Sequence, residues 1–163
     1  MRILGVDPGL KATGYGVIDL GAARVRVLEA GTIEPDPKAA FAQRIARVHE
    51  HISALLAAHK PDVVVLEKLY AHTQHPTTAC VLGHVRGVIC LSTAQHKVAL
   101  IEYSVKRVRQ ALVGNGNATK LQVQAFVKRL LRIEGSEMTL DASDALALAL
   151  GHAHMIKLKF NVS

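Results

Sequence analysis

The chain has 163 residues, half of them hydrophobic and 20% charged, which suits about one domain with its own core and excludes a disordered chain. No continuous apolar run reaches the roughly 18 residues of a membrane span, and the N-terminus has no signal-peptide pattern, so we expect a cytoplasmic protein. The net charge of +7 is compatible with a polyanionic partner such as nucleic acid, although many soluble proteins are equally basic.

The first third of the chain predicts three strands. Residues 2–7, 13–19 and 24–33 read as strands, and the short turns between them predict an antiparallel meander. Pro35 and Pro37 end this strand character, because proline cannot donate to the ladder of a sheet.

Helices and two further strands follow in the rest of the chain. The predicted strands cover residues 62–67 and 97–102, and the predicted helices cover residues 38–60, 76–95, 104–112, 119–131 and 141–158. Buried stripes at helical spacing include Phe41 in the first helix, which Pro61 would end, and Leu130 in the fourth. The order βββαβαβααα predicts an α/β layer fold with a mixed sheet.

The helix over residues 76–95 is apolar nearly all round. Gly83 and Gly87 are four residues apart, a spacing that lets another backbone approach closely. This pattern has two interpretations: a surface that pairs with a second copy of the chain, or a helix fully buried within the domain. Cys80 and Cys90 lack metal-ligand spacing, so we expect both to be buried thiols.

Four acidic residues stand where apolar segments begin or end. Asp7 and Glu67 each close an apolar run, and Asp141 and Asp144 open the last predicted helix on one of its faces. Burying an unpaired carboxylate costs several kcal/mol, and like charges repel, so divalent cations best explain a cluster of four. The pattern indicates metal-assisted phosphate chemistry.

The four acids can meet only if the fold brings distant segments together. If the strands that end at Asp7 and Glu67 are parallel neighbours, their carboxylates emerge at one edge of the sheet. The N-terminus of the last helix would then offset part of the repulsion. Each acid also has an ordinary interpretation: Asp7 as a turn residue, Glu67 as a strand-end charge, Asp141 as a helix N-cap and Asp144 as a first-turn acid.

The remaining charges and polar residues give weaker signals. Of the 13 acidic residues, nine lie outside this set and face 20 lysines and arginines, which suits a basic body around an acidic pocket. Residues 114–117 can bring backbone N–H groups to a phosphate beside Lys120, or they can form an ordinary helix start capped by Asn117 or Thr119. The nine histidines come without cysteines at zinc-finger spacing, so the sequence does not favour structural zinc.

Four segments in chain order carry a family resemblance. They are Gly5–Gly9 followed by Thr13–Gly16, the strand that ends at Glu67, the G-x-G-x-A-x-K pattern of Gly114–Lys120, and the D-A-x-D-A-L-A pattern of Asp141–Ala147. Together they resemble the bacterial RuvC Holliday junction resolvases over nearly the whole chain. One such motif would be weak, whereas four in register are specific.

The resemblance implies an RNase H-like α/β fold, with a mixed five-stranded sheet flanked by helices, in a single nuclease domain over residues 1–163. It also implies a homodimer that cleaves four-way DNA junctions with paired nicks in recombination and DNA repair. A branch-migration complex of RuvA and RuvB is the further partner that it suggests.

The same resemblance implies roles for individual residues. The catalytic and metal-binding set, for two Mg²⁺ ions per site with Mn²⁺ as a substitute, is Asp7, Glu67, Asp141 and Asp144. The DNA-binding residues that it implies are Tyr70, Arg109 and Lys120. Tyr70 stands where the family usually has phenylalanine, Arg109 replaces a common lysine, and Lys68 follows the catalytic Glu where Gln or Glu is common. These departures bear on junction opening and sequence preference more than on the chemistry.

Three other functions compete with this interpretation. The segment from Asp7 to Gly14 superficially resembles the phosphate loop of actin-like phosphotransferases, but those enzymes need two lobes and this length supplies about one. A non-enzymatic binder of branched DNA would be favoured by loss of an acid, and none is missing. A nuclease of the same fold that cuts RNA or an RNA–DNA hybrid is separated only by a comparison of substrates.

Overall fold

The structure is a computed structural model. It describes residues 1–9, 11–21, 24–68, 76–133 and 138–160, and within these the side chains of all but residues 76 and 157–160.

Five strands form one mixed sheet. They are β1 (Arg2–Asp7), β2 (Thr13–Leu20), β3 (Val25–Ile33), β4 (Val63–Glu67) and β5 (Ala99–Tyr103). The strand order is β3-β2-β1-β4-β5. The first three strands pair antiparallel, and β4 pairs parallel with both β1 and β5. The predicted meander, and the parallel contact between the strands that end at Asp7 and Glu67, are therefore confirmed.

Five helices complete the described fold. They are α1 (Phe41–His59), α2 (Pro76–Gln95), α3 (Val105–Val113), α4 (Lys120–Leu131) and α5 (Leu140–Phe160). The first begins three residues later than predicted, because Asp36 closes a turn by accepting hydrogen bonds from the Lys38 and Ala39 amides. Its N-terminus is then held by the Gln43 side chain, which accepts a hydrogen bond from the Ala40 amide at 3.1 Å.

The alternation of side chains along the strands divides the core into two layers. Leu4, Val6, Val64 and Leu66 face a cluster that includes residues of α1 and α2. Ile3, Val63 and Val65 face the opposite cluster, which includes residues of α3, α4 and α5. Side chains two residues apart along a strand point to the same face, so Asp7 lies on the same face as Ile3, and Glu67 on the same face as Val65. Both acids therefore lie on the α5 side of the sheet.

Two glycines let α5 lie directly on the sheet. A Cβ atom on Gly5 would overlap the Ala145 carbonyl oxygen, and one on Gly14 would overlap the Asp141 carbonyl oxygen. Gly14 is also the residue that pairs with Asp7 across β1 and β2. Glycine is therefore required where the first turn of α5 approaches the end of β1, and this contact places the helix acids beside Asp7.

Some residues that the sequence predicted to be buried are exposed. Phe41, the first residue of α1, is 42% exposed, although its ring packs edge-on against His84 with 5.3 Å between ring centroids. Leu130, in the last turn of α4, is 49% exposed, and Cys80 is exposed on α2. The spacing of apolar residues predicts which side of a helix faces the core. It does not predict whether the neighbouring element is long enough to cover that side at the ends of the helix.

Helix α2 packs on one side only. Val85 and Ile89 are buried, whereas Leu91 is 51% exposed and a Cβ on Gly83 or Gly87 would meet no described atom within 4 Å. The fully buried interpretation of this helix is therefore wrong. The stretch from Thr77 to Gln95 is long and apolar enough to cross a membrane by length and composition alone, which corrects the expectation drawn from continuous apolar runs. Such a test is weak for one helix, since core helices of soluble proteins also pass it.

The contact at Gly14 gives a stability prediction. Gly14→Ala should lower the free energy of unfolding by about 1–3 kcal/mol, because α5 must move away from the sheet to admit the methyl group. Chemical denaturation of both proteins measures the difference. An unchanged free energy of unfolding would mean that α5 does not press on β2 as the structure describes.

Candidate active site

One cavity of about 290 Å³ lies at the carboxyl ends of β1 and β4, and all four predicted acids line it. Asp7 and Glu67 come from the two parallel strands, and Asp141 and Asp144 come from the first turns of α5. Segments that are 60 to 137 residues from Asp7 along the chain therefore place their carboxylates in a single pocket with it. The ordinary interpretations of the acids as unrelated surface charges do not account for this convergence.

Asp7 and Glu67 form a pair that holds a proton. Burial, then the hydrogen bond to Glu67, and then the negative charges of Glu67 and Asp144 raise the pKa of Asp7 to about 8. At neutral pH the protonated Asp7 carboxyl therefore donates a hydrogen bond to Glu67. A divalent cation between these two half-buried side chains would take the place of that proton.

The start of α5 is fixed from outside the pocket. The Thr139 hydroxyl accepts a hydrogen bond from the Ala142 amide at 3.1 Å and lies 2.7 Å from the Thr32 hydroxyl on β3. Thr139 thus supplies the side-chain cap that Asp141 could have supplied, which leaves the Asp141 carboxylate to face the cavity. The positive end of the helix dipole stabilises the acids of this first turn.

Lys120 supplies a positive charge inside the acidic pocket. Its Nζ atom lies 2.6 Å from Asp144 Oδ2, and this hydrogen bond raises the pKa of Lys120 despite the opposing effect of burial. Thr119 caps α4 immediately before it: its hydroxyl accepts from the Gln122 amide at 3.2 Å, and the Gln122 side chain accepts from the Thr119 amide at 2.8 Å. Of the two predicted capping residues, Thr119 is therefore the one used.

The other predicted DNA-binding residues divide between the pocket and the undescribed part of the chain. Arg109, on α3, lines the same cavity as the four acids. Tyr70 lies outside the described residues. Lys68 is exposed, and its amide donates to the Tyr103 carbonyl at 2.8 Å, so the β4–β5 ladder continues one residue beyond Glu67.

The donor set suits a hard divalent cation, although the side chains are not already arranged around one. Within the described residues, no three Asp, Glu, His or Cys side chains form a compact metal-binding group. The carboxylates are instead paired, Asp7 with Glu67 and Asp144 with the Lys120 ammonium. A proton and an ammonium group therefore lie where the carboxylate oxygens converge, and oxygen ligands are those that Mg²⁺ and Mn²⁺ prefer.

Sequence and structure comparisons place this pocket among known proteins. The family model described as "Crossover junction endodeoxyribonuclease RuvC" matches residues 3–152. The chain belongs to the RuvC family. It is 40% identical to the RuvC of Alkaliphilus metalliredigens over 94% of this chain and 93% of that protein. It is 43% identical to the RuvC of Paramagnetospirillum magneticum over 94% and 92%.

Solved RuvC structures share the fold. The structure of Thermus thermophilus RuvC superposes with a TM-score of 0.86 at 28% identity, covering 98% of this chain and 97% of that one. The same protein in complex with a Holliday junction substrate gives a TM-score of 0.86 at 25% identity, covering 97% and 96%. The RNase H-like fold, with its mixed five-stranded sheet, is therefore confirmed.

Arg86 is the residue near this RuvC-family pocket that the sequence interpretation missed. It lies on α2, and its guanidinium donates hydrogen bonds to the main-chain carbonyl of Glu67 and to the Glu102 carboxylate. Two features of the sequence could have drawn attention to it: it is the one Arg or Lys in the helix Pro76–Gln95, and its surroundings there are apolar. Its partners are set by tertiary structure and could not be read from the helix itself.

The raised pKa of Asp7 predicts how stability depends on pH. Between about pH 4 and pH 8 the folded state holds a proton that the unfolded chain has lost, so the metal-free protein should become less stable as pH rises through this window. Asp7→Asn should flatten this dependence and raise stability at pH 8 by about 1–2 kcal/mol, because the amide needs no proton to be buried.

Denaturant unfolding at several pH values, without divalent cations, tests this expectation. Glu50→Gln is the matched control, since Glu50 is an exposed acid on α1 and its loss should leave the profile unchanged. A parent protein whose stability is flat from pH 5 to pH 8 would contradict the shared proton.

Proposed function

We propose that the chain is a structure-selective endonuclease that resolves four-way (Holliday) DNA junctions by paired nicks in recombination and DNA repair. The observation that carries the proposal is the meeting of Asp7, Glu67, Asp141 and Asp144 in one cavity of a RuvC-family chain. Its relatives are named crossover junction endodeoxyribonucleases, and one of them has been solved with a junction substrate.

In this proposal the four carboxylates hold two Mg²⁺ ions, with Mn²⁺ as a substitute. When bound, the ions would supply an activated water and charge stabilisation for the leaving oxygen of a phosphodiester. The contribution of the chain is to hold the oxygen ligands in one pocket, where a proton and the Lys120 ammonium occupy them until a cation binds. Asp7 must release its proton before it can serve as a ligand, so binding should strengthen as pH rises toward about 8.

Basic residues around the acidic pocket support DNA binding. Arg109 lines the cavity from α3, and Lys120 lines it from the start of α4, so cations and carboxylates share one surface. This arrangement lets phosphates be held by the cations while one of them faces the acids. We also propose Tyr70 as a residue that acts on the opened junction, on the strength of the family resemblance alone.

Paired nicks need two active sites, and α2 offers the surface for a homodimer. Its outward side carries the exposed residues Cys80, Gly83, Gly87 and Leu91, which recur at helical spacing. Gly83 and Gly87 leave open space above the helix, which allows a second backbone to approach closely. We therefore propose that two chains pair through this side of α2.

The remaining parts of the proposal follow from the same family membership. Residues 1–163 would act as a single nuclease domain in the cytoplasm, where the DNA is. A branch-migration complex of RuvA and RuvB is the proposed source of junctions in position for cleavage. The described fold supports the single domain, since one sheet has both faces covered by helices.

The central prediction concerns Asp7. Asp7→Asn should abolish junction cleavage in Mg²⁺ while leaving junction binding intact, because it removes one oxygen ligand and none of the basic contacts. A synthetic four-way junction incubated with and without Mg²⁺, followed by denaturing separation of the strands, measures cleavage, and a gel-shift assay measures binding. Glu50→Gln should behave as the parent protein does. Cleavage by Asp7→Asn would remove Asp7 from the metal-binding set.

The same assay on duplex DNA and on an RNA–DNA hybrid tests the substrate. Cleavage of either in preference to the junction would contradict the proposed junction selectivity.

The dimer surface gives a separate prediction. Gly87→Leu should convert the dimer to monomers and reduce paired nicking, since the larger side chain fills the space that a second helix needs. Sedimentation of both proteins measures the change. Ala46→Leu, which places the same leucine side chain on the exposed side of α1, is the matched control and should remain dimeric. A dimer that persists in Gly87→Leu would place the interface elsewhere.

A further inference from the structure

Arg86 joins three elements at the edge of the active site. Its guanidinium donates one hydrogen bond to the main-chain carbonyl of Glu67, at the end of β4, and another to the Glu102 carboxylate on β5. The side chain itself is only 14% exposed. A largely buried guanidinium is stable only when it is paired, so these two contacts account for its position.

The contact with β4 is made at the catalytic position but not in the catalytic pocket. The Glu67 side chain reaches the cavity and bonds to Asp7, while the main-chain oxygen of the same residue accepts from Arg86. The described residues that line the cavity do not include Arg86. The arginine can therefore affect the chemistry only through where it holds Glu67.

The end of β4 is also held by its pairing with β5. Its last pairings with β5 are Leu66 with Glu102 and Glu67 with Tyr103. Arg86 joins both strands near this end of the ladder, through the Glu67 carbonyl on one and the Glu102 carboxylate on the other. An arginine suits this role because its planar fork presents several donors in fixed directions.

Arg86 also lies beside the proposed dimer surface. It directly precedes Gly87 and is one helical turn from Gly83, so it borders the exposed side of α2. One side of this helix faces open space, and its arginine reaches the strand end that carries Glu67.

We propose that Arg86 is a positioning residue that holds the end of β4, so that the Glu67 carboxylate stays beside Asp7, and that links the dimer helix to the metal site. This inference rests on the proposed function, because it assigns Arg86 a role toward the divalent cation. A purely structural role would lower the stability of the fold and leave the affinity for metal unchanged. A positioning role changes the affinity, because Glu67 and Asp7 must be held together to share a cation.

Three substitutions separate these roles. Arg86→Met keeps the length of the side chain and removes both hydrogen bonds. Arg86→Lys keeps the charge, but its single ammonium group cannot bond both acceptors in the fixed geometry that the planar guanidinium provides. Glu102→Gln keeps the hydrogen bond to Glu67 but weakens the partner that holds the guanidinium in place. Arg47→Met, on the exposed side of α1, is the matched control for the loss of an arginine.

The primary measurement is the affinity of the DNA-free protein for Mn²⁺, from titration calorimetry or the paramagnetic resonance of the free ion. The Mg²⁺ concentration that gives half-maximal junction cleavage is the second. We expect Arg86→Met to weaken both by about 10- to 100-fold, the usual effect of removing a group that orients a metal ligand. Glu102→Gln and Arg86→Lys should fall between this variant and the parent, Arg47→Met should match the parent, and metal-free junction binding should be unchanged in all.

The inference is overturned if Arg86→Met binds Mn²⁺ as tightly as the parent, whatever happens to its melting temperature. If Arg86→Met does not fold, Glu102→Gln and Arg86→Lys decide the question, and parental affinity in both overturns it. Failure of the proposed function looks different: the parent itself would then show no metal-dependent junction cleavage.

Discussion

Repulsion between gathered carboxylates is the constraint on which the site depends. Four acids line one pocket of about 290 Å³, and the fold compensates for their charge in two ways. A proton stays on Asp7 beside Glu67, and the Lys120 ammonium lies against Asp144. The proton and the ammonium can each be displaced from its carboxylate, and a pocket that binds divalent cations requires such displaceable partners. A permanent apolar or ionic replacement would be more stable and would bind no metal.

The rest of the fold brings these charges together and keeps them in place. Parallel pairing of β1 and β4 places Asp7 and Glu67 at the same edge, and Gly5 and Gly14 remove the side chains that would hold α5 away from the sheet. Thr139 then caps α5 without using an acid. The gathered acids lower stability at the ends of β1 and β4 and at the start of α5. The buried apolar clusters on both faces of the sheet supply the core that offsets this cost.

Much of this arrangement could be predicted from sequence, because its signals are local. Asp7 and Glu67 stand out since each ends an apolar strand, and Asp141 and Asp144 share a face by their spacing. The Lys120–Asp144 and Arg86–Glu67 contacts could not be predicted in this way, since each joins residues about 20 apart through tertiary packing. The exposed side of α2 was ambiguous for a related reason: a helix that is apolar all round does not indicate which side the sheet covers.

The ion pair between Lys120 and Asp144 sets an order of events in the proposed reaction. The Lys120 ammonium lies 2.6 Å from the Asp144 oxygen, so it would have to leave that oxygen if Asp144 held a divalent cation. The released ammonium, on its long flexible stem, would be free to contact a DNA phosphate. Without a cation the pocket keeps its lysine paired with Asp144, and with a cation bound the same charge would be available to hold the DNA backbone.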